Sequence, residues 1–385
     1  MRLIIDREYL IKTLADLIRL NSINPQLVPA APGEVEIAAY IAAALRRLNL
    51  EVMTHEPQPG RVSVVGRLKG QGGGRSLMLN GHIDTVGIEN MPEPFSAAVR
   101  HGRMYGRGAY DMKGSIAAGM SAIKALVDAR AIFNGEVLLA AVADEEYFSL
   151  GTAGVIAHYK VDGAIVTEAT EMNICRAHKG FIWLEVETIG RAAHGSRFDE
   201  GIDANMRMGR FLAELDKLER DLRTRSPHPL VGPPSLHAAL LNGGAGLSTY
   251  AANCKLKIER RTIPGETEAQ VVGELQTILE RLAAADSTFK GTVNAFCTRE
   301  AFEVRPDAEI VRVVEKAARR VRNVSPQHIG QTYWMDSALL AAAGVETVVI
   351  GPIGAGAHAA EEWVDLQSLV DLAQILAETA LDYCR

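Results

Sequence analysis

The chain has 385 residues, against about 100–200 for a typical domain, so two domains is the starting expectation. Hydrophobic residues make up 48% and charged residues 23%, the balance of an ordinary globular protein and not of a disordered one. Lys and Arg number 41 against 47 Asp and Glu, a net charge of −6 with no long run of one sign. That excludes the basic stripe that nucleic-acid binding needs to displace phosphate counterions. No apolar stretch reaches the roughly eighteen residues of a membrane span, the longest being the Ala-rich run from Ile37 to Leu45. Only three consecutive apolar residues precede Asp6, too few for a signal-peptide core. The four cysteines form no CxxC pair or disulfide framework and are expected as small buried hydrophobes in a reducing compartment. The expected location is therefore cytoplasmic.

Along the chain, Leu10, Leu14, Leu17 and Ile18 share one helical face, with Asp6 where an N-cap belongs. A second helix runs through Ile37, Ile41, Leu45 and Leu48, followed by strands over 51–55, 61–68 and 77–80. The cluster GQGGG (Gly70 to Gly74) reads as a hairpin loop joining the last two. It lacks the Lys-Ser/Thr of a phosphate-binding loop, and no helix follows it. Helices over 112–127 and 151–158 then alternate with apolar strands over 135–143 and 163–167, implying parallel strands joined by crossover helices.

The pattern changes near Gly180, where Ile182, Leu184 and Val186 face one way and Glu185 and Glu187 the other: a strand with one wet side. A helix over 203–223, an alternating strand CKLKIERRTI and a helix over 267–284 complete a small antiparallel α+β block. The first pattern returns from about Asn294, with helices over 308–320, 336–343 and 366–383 and a strand over 347–350. The expected organisation is one discontinuous domain, 1–178 with 294–385, interrupted by a smaller one at 179–293. The expected fold is α/β, a mixed and mostly parallel sheet with helices on both faces.

Five segments place acids or histidines where strands should end. In LMLNGHIDTV, His82 and Asp84 lie two apart and point the same way on an extended backbone. A neutral imidazole can ligate a metal while a carboxylate holds its other nitrogen. In GRGAYDMKGS, Asp111 precedes a helix and alone would read as a cap. VLLAAVADEEYFSLG runs a buried strand into Asp144, Glu145 and Glu146, acids that repel one another and call for cations or solvent. GAIVTEAT ends on Glu168, and in TVVIGPIGAGAHAAEEW His358 follows a strand and a glycine-rich loop. The carboxyl ends of parallel strands are where α/β sheets carry their sites. Two histidines with three or four carboxylates suit a pair of zinc ions.

These segments, with AHGS and RRTIPGE, resemble the motifs of the dinuclear-zinc amidohydrolases and peptidases that include acetylornithine deacetylase, succinyl-diaminopimelate desuccinylase, aminoacylase and glutamate carboxypeptidase. The resemblance spans essentially the whole chain, in family order. It implies that His82, Asp111 and Glu168 hold one zinc, and Asp111, Glu146 and His358 the other, with cobalt or manganese as substitutes. It implies that Asp84 supports His82 and that Glu145 takes a proton from water and passes it to the leaving amine. The inserted block corresponds to a lid or dimerisation domain. From it His194 would reach the active site of a neighbouring subunit in a homodimer; without the resemblance, a solvated histidine at a turn is the plainer reading. Arg261 corresponds to the arginine that binds a substrate carboxylate. Strand parity sets it with Lys255, Lys257 and Glu259, and sets Arg260 with Cys254, Leu256 and Ile258.

The sequence departs from the family where Ser248 and Ala251 stand in place of the usual Asn and Pro, and where TYWMDSALL lacks the commoner Thr-Asp pair but keeps Asp336. The implied reaction is hydrolysis of the amide bond of an N-acyl amino acid, a small molecule with a free carboxylate. Glutamate at position 168 is more typical of deacylases and carboxypeptidases than of aminopeptidases. An acetylornithine deacetylase-like activity leads, with a dipeptidase or carboxypeptidase as the alternative.

Overall fold

The computed structural model describes residues 3–385. The chain forms two compact units: residues up to Arg176 with Val304–Ile329 and Met335–Arg385, and Ala177–Glu303 with Gly330–Trp334.

The first unit is built on a mixed sheet. Its centre is four parallel strands in the order Glu136–Val142, Ser76–His82, Gly163–Val166 and Glu346–Val349. Parallel strands covered on both faces should be apolar throughout, and every residue from Val137 to Val142 is buried. Arg61–Lys69 flanks this centre antiparallel to Glu136–Val142, and Glu51–Gln58 lies antiparallel beyond it. On the other side, Val349 pairs with Cys175 of the antiparallel strand Ile174–His178.

The glycine cluster is not a hairpin, because Glu136–Val142 lies between the two strands it was expected to join. The segment instead crosses over the start of that strand: Gly70 N donates to Gly135 O at 2.8 Å and Gln71 N to Phe133 O at 2.9 Å. The hairpin is one strand earlier, between Glu51–Gln58 and Arg61–Lys69, where Gly60 at φ +80° supplies the turn. Helices cover both faces. Leu45 of helix Val35–Arg47 packs over Gly66, while Gly151 of helix Leu150–His158 approaches Ser63, whose side chain points the other way. Helix Arg7–Arg19 begins as expected, with the Asp6 carboxylate accepting from Tyr9 N at 3.0 Å. Three of the four cysteines are buried and Cys297 is half-buried. Among the described residues no helix is long and apolar enough to cross a membrane.

The second unit is an antiparallel sheet in the order Ser235–Gly243, Asn253–Thr262, Gly180–Ile189, Lys290–Arg299. Helices Ala204–Thr224 and Glu268–Ala285 cover one face, burying Phe211, Leu215, Leu275 and Ile278 against Leu184, Val186, Leu256 and Ile258. Two strands were not anticipated from the sequence: Ser235–Gly243, of which only Leu236 is buried, and Lys290–Arg299, whose residues are all half-buried or exposed. Such weak apolar alternation gives little strand signal.

Candidate metal centre

The parallel strands deliver the site. His82 ends one strand, Glu145 and Glu146 follow the next, and Glu168 follows Gly163–Val166. His358 lies on the loop after Glu346–Val349, and Asp111 on the turn preceding helix Gly114–Asp128. Asp111 spans the two imidazoles: Oδ1 lies 3.0 Å from His82 Nε2 and Oδ2 lies 3.2 Å from His358 Nε2. Glu168 approaches His82 Nε2 to 3.5 Å, and Glu146 approaches His358 Nε2 to 3.0 Å. His82 is buried, whereas the His358 side chain is 54% exposed, so the cluster has a closed end and an open end.

These separations bear on whether the residues fit a metal. Ligands about 2.0–2.1 Å from a tetrahedral zinc lie roughly 3.3 Å from one another, within the range of the contacts above. The donor chemistry agrees, since imidazole nitrogens and carboxylate oxygens suit zinc and similar divalent ions. Ligand atoms of His82, Glu145 and Glu168, and likewise of His82, Asp111 and Glu146, lie within 4.8 Å of one another.

Charge points the same way. Asp84, Asp111, Glu145, Glu146 and Glu168 crowd around two imidazoles. Burial, together with Asp111, Glu146 and Asp336, pushes Glu168 up to about 8, and burial lifts Glu145 well above the carboxylate range. Glu146 is also raised, by burial and by Asp111. Burial opposes charge on His82, but Asp111, Glu168 and Glu145 around it raise it well above the ordinary imidazole value. Hydrogen bonds donated by His358 to the Asp111 and Glu146 carboxylates raise it to about 10. Alone, the cluster must hold protons to balance its acids; divalent cations supply the balancing charge. The donor set fits divalent metal ions.

Asp84 is fully buried beneath His82. The His82 ring nitrogen Nδ1 lies 3.0 Å from the Asp84 carbonyl and 3.6 Å from its carboxylate. The same carboxylate accepts from Glu145 N at 3.1 Å and Glu146 N at 3.3 Å, tying the two acidic residues to the histidine.

Several buried residues behind the cluster carried no role in the sequence reading. Asn24 donates from Nδ2 to Asp84 at 2.8 Å and to Asp144 at 3.0 Å. Arg61 donates to Asn24 Oδ1 at 2.9 Å, to Glu34 at 2.5 Å and to Asp144 at 2.7 Å. This network supports a left-handed backbone at Asp144 (φ +70°), immediately before the two glutamates. Glu362 and Arg107 form a second buried pair, at 2.8 Å. The signal for Asn24 was weak, since Asn-Pro reads as a turn, and Asn24 Oδ1 does accept from Gln26 N at 2.9 Å. Glu362 lies in the quoted motif GAHAAEEW without a distinguishing neighbour.

His194 and Arg261 belong to the second unit. His194 is exposed, and its Nδ1 lies 2.8 Å from Ser196 Oγ and 3.3 Å from Ser196 N. Arg261 lies on the half-open face of its strand, its Nε donating to Glu259 at 2.7 Å and its guanidinium 5.3 Å from the centre of the Phe181 ring. Arg260 points the other way, buried against Glu266 at 2.6 Å.

Comparison with known proteins places this geometry. The chain is 28% identical to N-formyl-4-amino-5-aminomethyl-2-methylpyrimidine deformylase of Bacillus subtilis, over 92% of this chain and 91% of that protein. It is 27% identical to acetylornithine deacetylase of Myxococcus xanthus, over 97% of both. A solved dinuclear metal-binding peptidase of Bacillus subtilis shares the fold, with a TM-score of 0.77 at 17% identity and 98% of each chain covered. The model of peptidase family M20/M25/M40 matches residues 78–382, and the chain belongs to that family of hydrolases acting on amide or peptide bonds.

Proposed function

We propose that the protein hydrolyses the amide bond of an N-acyl amino acid, as a zinc-dependent deacylase. The observation that carries this reading is the placement of Glu145 in a cluster with His82 and Glu168, next to the paired donor sets that share Asp111. The two relatives above are named for removing formyl and acetyl groups from nitrogen, which supports deacylation over peptide cleavage.

His82, Asp111 and Glu168 would hold one zinc, and Asp111, Glu146 and His358 the other. When bound, the ions polarise the scissile carbonyl and bring the pKa of water towards neutrality. Glu145 accepts the proton that water loses as its oxygen bonds to the carbonyl carbon, and returns it to the nitrogen as the C–N bond breaks. Asp84 fixes the orientation of His82 and, through the Glu145 and Glu146 amides, the direction of both acids. The contact of Ser196 N with His194 Nδ1 favours the tautomer that carries its proton on Nε2, the donor that a developing oxyanion needs. His194 would serve a neighbouring subunit of a homodimer formed through the second unit. Glu259 occupies Nε of Arg261, leaving the terminal nitrogens to pair with a substrate carboxylate.

The test is a panel of N-acetylornithine, other N-acetyl and N-formyl amino acids, and dipeptides, with zinc or cobalt supplied. Turnover of N-acyl substrates with little dipeptide cleavage supports the reading. Cleavage of dipeptides alone would replace it with a peptidase, and a substrate without a carboxylate turned over equally well would remove Arg261 from its role.

A further inference from the structure

We propose that Glu362 and Arg107 are positioning residues that hold the Asp111 and His358 arms of the donor set together. They would thereby govern occupancy of the metal position bounded by Asp111, Glu146 and His358, where they support two donors, more than that bounded by His82, Asp111 and Glu168, where they support Asp111 alone. The inference rests on the reading of these donors as a metal centre.

The two arms meet through a small sheet. Trp363–Asp365, just after Glu362, pairs antiparallel with Arg103–Tyr105, just before the turn that carries Asp111. Gly106 N extends the pairing to Glu362 O at 3.1 Å. This places the Glu362 side chain, 1% exposed, inside the turn. Its Oε1 accepts from Tyr110 N at 2.8 Å and Asp111 N at 3.0 Å, and its Oε2 from Gly108 N at 2.9 Å and Arg107 Nη1 at 2.8 Å. Arg107 then reaches the other arm, donating from Nη2 to the carbonyl of Ala359, the neighbour of His358, at 2.9 Å. Its Nε donates to Gly87 O, also at 2.9 Å.

The histidine arm depends on this arrangement. His358 sits at φ +60° and with an exposed side chain in the loop between Gly354–Ala355 and Trp363–Asp365, short strands whose pairing ends at Ala355 and Trp363. The loop closes where the Glu361 carbonyl occupies the place a Cβ on Gly356 would take, so the turn runs tight against the residue preceding Glu362. His82 and Glu168 stand on firmer ground. One ends a sheet strand and the other follows Thr167, whose amide donates to Asn80 O at 3.0 Å. Neither is bonded to Glu362 or Arg107 in the contacts described above. A buried ion pair is a poor device for stability alone, since apolar residues of the same volume often serve as well. Apolar residues could not receive the three backbone N–H groups that Glu362 receives.

The experiment titrates metal-free full-length protein with zinc against a chromophoric chelator, for the wild type and for Glu362→Ala and Glu362→Gln. His358→Ala and His82→Ala serve as references. The wild type should take up two ions. Glu362→Ala should weaken one ion only slightly, through Asp111, and bind the second about 10–100-fold more weakly, the usual effect of losing a partner behind a ligand. Its titration should match His358→Ala and not His82→Ala, and Glu362→Gln, which keeps an acceptor oxygen, should recover part of the loss. Arg107→Lys, which keeps the charge without the fork, is read the same way if Glu362→Ala fails to fold. Equal weakening of both ions, or an unchanged titration, overturns the proposal. Failure of the wild type itself to bind two ions would overturn the metal-centre reading beneath it.

Discussion

Arg61→Met would remove the guanidinium from a buried network while leaving its acids in place. Arg61 lies 2.5 Å from Glu34 and 2.7 Å from Asp144, with side-chain exposures of 4%, 0% and 0%. With an effective dielectric of about 20, each such pair attracts by on the order of 4 kcal/mol where its carboxyl is ionised. In the intact protein the desolvation of three charged groups offsets much of that; in the variant the acids stay buried and the attraction is gone. Breaking a buried pair this way costs about 3–5 kcal/mol. For a unit of the first one's size, about 250 residues, that corresponds to a Tm lower by roughly 6–20 °C, at about 2–4 °C per kcal/mol.

The loss should depend on pH. Burial and Asp84 push Glu34 up to about 8 against the pull of Arg61. A carboxyl raised in the folded state takes up a proton on folding. Its contribution to stability is complete below the unfolded value, about 4.3, and is lost as pH rises through the folded value. Without Arg61 the folded value rises further, so the variant pays most where the wild-type carboxyl is ionised. Thermal unfolding followed by circular dichroism should show a larger gap between variant and wild type near about pH 9 than near about pH 6.5. A gap of a degree or less, or one that is equal at both, would refute the reasoning.

Three further outcomes are expected. Glu145→Gln should lower kcat by about 10²–10⁴ while metal content, read by elemental analysis, stays at the wild-type level; loss of metal in parallel would make Glu145 a ligand and not a proton carrier. Asp84→Ala should weaken metal binding by about 10–100-fold in a chelator competition, since His82 loses its support; unchanged affinity would remove Asp84 from the site. Mixing inactive His194→Ala and Glu145→Ala proteins should restore some activity if His194 serves a partner subunit. No recovery despite demonstrated subunit exchange would refute the shared site.

How much of this was legible in the sequence follows from the range over which each signal acts. The clustering of His82, Glu145, Glu146 and Glu168 was readable because they sit where apolar runs end, and an apolar run followed by an acid is a local pattern. Arg261 was set apart from Arg260 by the resemblance and by strand parity, and their burial follows that parity. The supports were illegible because they act across sequence: 60 residues separate Asn24 from Asp84, 83 separate Arg61 from Asp144 and 255 separate Arg107 from Glu362. Nothing local distinguishes such residues from surface polar ones. The glycine cluster misled for a related reason. Glycines mark a change of direction, whereas Gly70 turns onto Gly135, just before a strand inserted from beyond the next helix.

Hydrolysis at the cluster spanned by Asp111 should depend on metal. Protein stripped by chelation and titrated with zinc while N-acetylornithine and related N-acyl amino acids are assayed tests it most directly. No hydrolysis is expected without metal, and activity should rise to a plateau as the two positions fill. Hydrolysis that persists in metal-free protein, or zinc binding that leaves every N-acyl substrate untouched, would contradict it.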